Sequence, residues 1–167
     1  MIDIQNPLIV FLNTSGVFVL ILLVLAYLWF IEKSYEETLH IILALVFTAT
    51  VSIFLKELFH LPRPFEVAQI DPKAGFATLA SFPSLHTALA FALATTVLFH
   101  QRRLGFFLMI VASLVGLGRV AADLHYPTDI AFGTLIGALT AITFDRMHLT
   151  TSSHHARLPR KLRIKNR

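Results

Sequence analysis

The sequence predicts an all-α membrane protein, a polytopic helical bundle with about five transmembrane helices. Of its 167 residues, 56% are hydrophobic and only 14% are charged, and the mean hydropathy is +0.71. Soluble domains are about 45–50% apolar and about 25% charged, and disordered chains are more polar still. The composition therefore excludes both of these classes. The chain contains no cysteine, which also excludes a disulfide scaffold and a cysteine nucleophile.

Five uninterrupted apolar runs are each long enough, at roughly 17–25 residues, to cross a bilayer as a helix. They cover residues 8–31, 38–57, 84–100, 104–122 and 128–145. Because the first run is longer than the core of a signal peptide and no basic segment precedes it, we expect it to remain as a helix. We expect residues 1–146 to form one transmembrane domain and residues 147–167 to form a basic cytoplasmic tail.

The distribution of Lys and Arg predicts how the helices are oriented. Ten of the 14 basic residues fall on one side of the predicted membrane, and six of these ten lie in the tail. By the positive-inside rule this side is cytoplasmic. We therefore expect a multi-pass protein of the inner (plasma) membrane, with a cytoplasmic C-terminus and with the 58–83 connection facing outward or into the periplasm. Since the excess positive charge is concentrated in the tail, the pI of about 9.8 predicts no nucleic-acid partner.

Polar side chains collect at the predicted outer ends of spans two to five. An ionisable residue at the edge of a membrane span is costly, and several of them together indicate a functional site. Four helix ends here offer three cations, two histidines, a hydroxyl and a carboxylate to one region. These residues are Lys56, Arg63, Ser84, His86, Arg119, His125 and Asp129.

Spans three and five each begin beside a proline, a residue that suits the first turn of a helix. Ser84 is therefore expected to be the N-cap of span three. The first amides of that helix, near Leu85, would then point outward and form an anion site. Asp129 lies in the first turn of span five, from which it can reach back to His125 and fix the nitrogen that carries the proton.

The residue types at this end favour an anion over a metal ion. His86, His125 and Asp129 are acceptable ligands for zinc or iron, so a metal site is the alternative. The three cations would repel a divalent metal ion and attract a multiply charged anion, and arginine offers a bidentate fork for phosphate. We therefore expect an anion site that works without a metal ion or any other cofactor.

Gly133 and Gly137 form a pair of small residues four positions apart in span five. Such a pair allows two helices to approach closely, either in a dimer or between two spans of one chain. The sequence leaves both alternatives open, and with them the oligomeric state.

The order and spacing of the polar residues resemble the three signature motifs of the type 2 phosphatidic acid phosphatase superfamily. The motifs are Lys56-x6-Arg63-Pro64, Pro83-Ser84-x-His86 and Arg119-x5-His125-x3-Asp129. The resemblance extends from span two to span five. Two positions depart from the family pattern, since Leu85 stands where the family usually has glycine and Gly118 where it usually has serine.

The resemblance implies a membrane lipid phosphatase that works through a phosphohistidine intermediate. It implies that His125 attacks phosphorus while Asp129 holds its ring, and that His86 protonates the leaving oxygen. The phosphoryl oxygens would be bound by Lys56, Arg63, Ser84, Leu85 and Arg119.

The resemblance also suggests a substrate. Small bacterial members of the superfamily resemble undecaprenyl diphosphate phosphatases, so undecaprenyl diphosphate is the expected substrate and undecaprenyl phosphate the expected product. Phosphatidylglycerophosphate, phosphatidic acid and lipid A are alternative substrates, and a non-enzymatic membrane scaffold is the alternative of a different class. The expected partners are a lipid phosphate and the bilayer itself.

The predicted orientation can be checked by cysteine labelling in intact cells. A membrane-impermeant thiol reagent should modify Gly75→Cys, in the 58–83 connection, and should modify Ser153→Cys only after the cells are permeabilised. The parent chain lacks cysteine, so it provides the unlabelled control. The reverse labelling pattern would put the polar cluster on the cytoplasmic side.

Overall fold

The computed structural model describes residues 14–69 and 80–155, and all the regular secondary structure in these two stretches is helical. The predicted all-α class is therefore confirmed for the described part of the chain. The elements are α1 (Gly16–Ala26), continued by a π-helical turn (Tyr27–Ile31), α2 (Tyr35–Phe59), the short α3 (Pro64–Val67), α4 (Leu85–His100), α5 (Arg102–Ala121) and α6 (Pro127–His155).

Three of the described helical stretches are long and apolar enough to cross a membrane. They are Glu37–Val67, Arg102–Ala121 and Pro127–Arg146. Two further apolar helices, Gly16–Ile31 and Leu85–His100, are shorter. An apolar helix thus lies at each of the five predicted positions, but only three reach spanning length, and residues 8–13 of the predicted first span lie outside the described residues.

The C-terminal helix is longer than the sequence predicted. The last apolar run was expected to end near residue 145, whereas α6 continues to His155. The proposed boundary between the transmembrane domain and the tail, at residue 146, therefore lies inside a helix. Residues 156–167 of the predicted tail lie outside the described residues.

Helix α4 forms the centre of the bundle and packs against α2, α5 and α6, with a smaller contact to α1. Every residue from Thr87 to Val97 is buried. Alanines at alternate positions (Ala88, Ala90, Ala92 and Ala94) keep this helix thin enough for neighbours on all sides. The helices around it turn large apolar side chains outward, among them Leu22, Phe54, Ile110 and Leu135.

The two glycines of α6 face α4 of the same chain. A Cβ atom on Gly133 would lie 2.7 Å from the carbonyl oxygen of Ser84, and one on Gly137 would overlap the carbonyl oxygen of Ala88. Of the two alternatives that the sequence left open, the structure therefore supports close packing within one chain. This packing holds the start of α6 against the start of α4.

The α4–α6 contact predicts how the bundle responds to bulk at this seam. Gly137→Val should lower the thermal unfolding midpoint in detergent, since overpacking a tight contact costs about 1–3 kcal/mol. Ala131→Val, on the exposed outer face of the same helix, is the matched control and should leave the midpoint near that of the parent. Equal midpoints for both variants would contradict the close packing.

Candidate active site

The short helix α3 brings Arg63 to the loop between α5 and α6. Glu66 accepts the backbone N–H of Arg63 at 2.9 Å and so stabilises the start of α3. Phe65 packs with Ala122 and Leu124. From this position Arg63 Nη1 donates to the Leu124 carbonyl at 2.9 Å.

Arg63 also determines the hydrogen-bonding state of His125. Its Nη1 atom lies 3.3 Å from His125 Nε2, and a guanidinium can only donate. His125 Nε2 therefore accepts a hydrogen bond from the Arg63 guanidinium, so its lone pair points toward that group. The single ring proton of the neutral imidazole then lies on Nδ1. His125 Nδ1 lies 3.4 Å from Asp129 Oδ2, so the ring proton faces a carboxylate. The pKa of His125 is lowered to about 3, because burial and, to a smaller extent, the nearby cations outweigh the opposing effect of Asp129, so the ring is neutral at neutral pH.

Asp129 is held in place by two donors. Ser81 Oγ donates to Asp129 Oδ2 at 2.5 Å, and the Tyr126 amide donates to the same oxygen at 2.9 Å. The main chain of Asp129 takes part as well, because its carbonyl accepts the Ser84 N–H at 3.1 Å. The expected pairing of Asp129 with His125 is therefore present, with the carboxylate oriented by groups from two segments, the chain before α4 and the α5–α6 loop.

Lys56, in the last turn of α2, reaches the segment that precedes α4. Its Nζ atom donates to the carbonyl of Ala80 at 2.5 Å and to that of Ser81 at 3.1 Å. The Ser81 amide in turn donates to the Leu61 carbonyl at 2.8 Å. These bonds fasten the chain before α4 to the end of α2.

Ser84 occupies the N-cap position of α4, but its side chain makes no capping bond. The hydroxyl lies instead 3.0 Å from Thr87 Oγ1. Ser84 is therefore the N-cap residue as predicted, but its hydroxyl contacts Thr87 on the first turn and makes no capping bond to the backbone. Ser84 is fully buried, and Leu85 begins the helix beside it.

His86, in the first turn of α4, is held by α1. Its Nε2 atom lies 3.0 Å from the Thr14 carbonyl oxygen, and Phe18 contacts the ring edge to face with centroids 5.3 Å apart. A carbonyl only accepts, so Nε2 carries a hydrogen. The imidazole also lies close enough to Arg119, Arg63 and Lys56 to interact with them electrostatically.

The site has an excess of buried positive charge. Lys56, Arg63 and Arg119 are only 2%, 4% and 5% exposed, and they interact electrostatically with one another. Within the described residues, Asp129 is the one buried carboxylate at this end of the bundle. Burying like charges together is costly unless a counter-charge accompanies them. The arrangement therefore favours a multiply charged anion as a ligand.

The three residues proposed as alternative metal ligands do not form a single group in the described structure. Across residues 14–69 and 80–155, no group of three or more His, Asp or Glu side chains is arranged to hold a metal ion. His86 is bound to α1, whereas His125 and Asp129 contact each other. The three potential ligands that the sequence suggested are therefore not gathered around one point.

Sequence reasoning missed three contributors to the site: Ser81, Thr87 and the carbonyl of Thr14. Ser81 contacts Asp129 across 48 positions of the chain, and Thr14 contacts His86 across 72. No spacing rule connects residues so far apart. The one available signal for Ser81 was a hydroxyl just before the proline that begins span three.

An apolar helical bundle with a net cationic cluster around a neutral histidine defines an integral membrane protein with a site for a multiply charged anion. Residues 37–152 match the family described as the PAP2 superfamily. The chain belongs to this superfamily, so the resemblance noted in the sequence is confirmed.

Two curated relatives match at similar identity. The chain is 34% identical over 85 residues to the undecaprenyl-diphosphatase BcrC of Bacillus subtilis, which corresponds to 51% of the chain and 44% of the relative. It is 32% identical over 121 residues to the lipid A 1-phosphatase of Rhizobium johnstonii, which corresponds to 66% of the chain and 49% of the relative. The chain thus aligns with less than half the length of each.

Two solved structures share the fold. The crystal structure of Aquifex aeolicus LpxE matches with a TM-score of 0.69 at 29% identity, over 86% of this chain and 90% of that one. A PAP2-type phosphatidylglycerolphosphate phosphatase from Bacillus subtilis matches with a TM-score of 0.68 at 23% identity, over 84% of this chain and 73% of that one. The latter similarity supports the fold alone.

The cationic cluster predicts that a phosphate mimic stabilises the protein. Orthovanadate should raise the unfolding midpoint of the parent in a concentration-dependent way. In Lys56→Gln the vanadate concentration needed for a given shift should rise about tenfold or more, because a charge-assisted contact is lost. Lys33→Gln makes the same charge change at an exposed position before α2 and should respond like the parent. An unaltered response in Lys56→Gln would contradict an anion site beside Lys56.

Proposed function

We propose that the chain is a membrane lipid phosphatase that hydrolyses undecaprenyl diphosphate to undecaprenyl phosphate and inorganic phosphate. The observation that carries the proposal is the cluster of three buried cations that interact electrostatically with His125, with Arg63 Nη1 3.3 Å from its Nε2 atom. The name of the Bacillus subtilis relative, undecaprenyl-diphosphatase BcrC, supports this choice of lipid.

In the proposed mechanism, His125 is the nucleophile. Its Nε2 atom attacks the terminal phosphorus and forms a P–N bond, while the bond from that phosphorus to the bridging oxygen breaks. Asp129 holds the Nδ1 proton and stabilises the positive charge that develops on the ring. Water then attacks the phosphohistidine, which releases inorganic phosphate and restores the neutral imidazole.

Lys56, Arg63 and Arg119 would bind the phosphoryl oxygens together with Ser84 and the amide of Leu85. Phosphoryl transfer depends mainly on positioning and on neutralising charge at the equatorial oxygens. Three buried cations and the first turn of α4 supply both in this arrangement. As the phosphoryl group approaches, Arg63 Nη1 must release the Nε2 lone pair of His125. The guanidinium would then donate to a phosphoryl oxygen instead.

His86 would protonate the leaving oxygen. The Thr14 carbonyl occupies Nε2–H, so the donated proton would come from Nδ1 of the doubly protonated ring. The negative charge of the bound phosphate favours that protonated form. The bond to Thr14 fixes the direction in which the ring presents its other nitrogen.

Lipid A 1-phosphatase activity is the second candidate. The relative from Rhizobium johnstonii, 32% identical over 121 residues, carries that name. A lipid A phosphate is a monoester on a sugar, whereas undecaprenyl diphosphate is an anhydride. The two substrates therefore place different demands on leaving-group protonation.

The proposal extends to location. The ten basic residues that the sequence assigns to one side of the predicted membrane support an inner-membrane protein whose C-terminus is cytoplasmic and whose site faces outward. A site at the ends of the helices suits a substrate whose tail remains in lipid while its phosphate enters the pocket.

A lipid panel tests the proposed function. Purified protein in EDTA should release phosphate from undecaprenyl diphosphate faster than from lipid A, phosphatidylglycerophosphate or phosphatidic acid. His125→Ala should reduce release by at least about 10³-fold, because no other group replaces the nucleophile. His100→Ala removes an exposed imidazole at the opposite end of α4 and is the matched control. No release from any lipid would favour a scaffold, and dependence on one divalent ion would contradict the mechanism.

The role of His86 can be tested with leaving groups of different basicity. In His86→Ala the rate on the preferred lipid should fall about 10²–10⁴-fold, the usual range for general acid–base catalysis. An aryl phosphate needs little protonation of its leaving oxygen, so its rate should fall much less. Equal losses on both substrates would assign His86 to phosphate binding.

A further inference from the structure

We infer that Ser81 is a positioning residue for the His125–Asp129 pair, which it serves by fixing the carboxylate of Asp129. This role rests on the function proposed above. Ser81 is fully buried, and its hydroxyl donates to Asp129 Oδ2 at 2.5 Å. It lies in the chain before α4, whereas the pair it contacts lies at the start of α6.

Three different groups of Ser81 are engaged, and each binds a different part of the molecule. The amide donates to the carbonyl of Leu61, two residues before Arg63. The carbonyl accepts from Lys56 at the end of α2. Only the hydroxyl reaches Asp129. The main-chain hydrogen bonds thus fix the position of Ser81. Its side-chain hydrogen bond then places the carboxylate of Asp129.

The hydroxyl controls the direction of the carboxylate. Asp129 Oδ2 accepts hydrogen bonds from Ser81 Oγ and from the Tyr126 amide. The same oxygen lies 3.4 Å from His125 Nδ1. Two hydrogen-bond donors stabilise the ionised form of a carboxylate and restrict its rotation. With one donor removed, Asp129 can rotate, and His125 loses its fixed orientation toward phosphorus. A small misplacement of a nucleophile costs much of the advantage of a preorganised site.

Ser81 should affect the chemical step and leave anion binding intact. Replacing its side chain does not touch the backbone carbonyl that accepts from Lys56. Arg63, whose Nη1 atom binds the Leu124 carbonyl, is independent of the hydroxyl as well. The loss should therefore appear in kcat, while KM and inhibition by vanadate stay close to those of the parent.

The test is a double-mutant cycle on the purified, full chain. Ser81→Ala should lower kcat by about 10- to 100-fold, the worth of a hydrogen bond to a charged group. In an Asp129→Ala background, which lacks the acceptor, the same substitution should change kcat by no more than about twofold, because the hydrogen bond it removes no longer exists. Ser113→Ala removes an exposed hydroxyl that bonds only within α5, to the Met109 carbonyl, and is the control.

The possible outcomes distinguish a failure of the proposed function from a failure of the positioning role of Ser81. An inactive parent contradicts the proposed function, whereas an active parent with normal kcat in Ser81→Ala contradicts only the positioning role. A loss of equal size in the Asp129→Ala background would also overturn it, as would a loss confined to KM. If Ser81→Ala does not fold, Ser81→Cys carries the test: it keeps the volume but donates weakly, so kcat should fall while the unfolding midpoint is kept.

Discussion

The carboxylate of Asp129 is the point on which the rest of the site depends. It receives hydrogen bonds from Ser81 and from the Tyr126 amide, and it faces the protonated nitrogen of His125. Among the described residues, Asp129 is also the buried carboxylate at the same end of the bundle as the three cations. Removing one partner from a buried charge network is strongly destabilising, because the charges left behind are neither solvated nor paired. The same group thus stabilises the fold and orients the proposed nucleophile.

The balance of charge explains why such a site suits a lipid phosphate. Three cations against one carboxylate leave the pocket short of negative charge when no ligand is bound. A phosphate entering it contributes the missing charge, so part of its binding free energy is relief of repulsion already present in the protein. The uncharged His125 fits this arrangement, because a fourth cation there would add to the repulsion and would have no lone pair with which to attack.

The sequence predicted the helices and the main polar residues for one physical reason. Apolar runs of sufficient length have few alternatives to a helix in a membrane, and ionisable residues at their ends are rare enough to stand out. The residues found in this way do converge, and they are Lys56, Arg63, Arg119, His125 and Asp129.

Hydroxyls and backbone carbonyls carry no such signal in the sequence, since they are common and their partners depend on tertiary packing. Ser81 and Thr14 were therefore missed, and the contact of the Ser84 hydroxyl with Thr87 was not foreseen although Ser84 is the N-cap residue as predicted.

The burial of α4 on all sides separates the site from the lipid around it. Helices in contact with a bilayer tilt or shift when their apolar length differs from its hydrocarbon thickness. Helix α4 is only 16 residues long and is enclosed by its neighbours, so it need not match that thickness at all. Changes in membrane thickness should act first on α2, α5 and α6, while α4, which carries His86 and begins after Ser84, keeps its depth relative to the cationic cluster. A phosphatase built this way can work at the same geometry in membranes of different lipid composition.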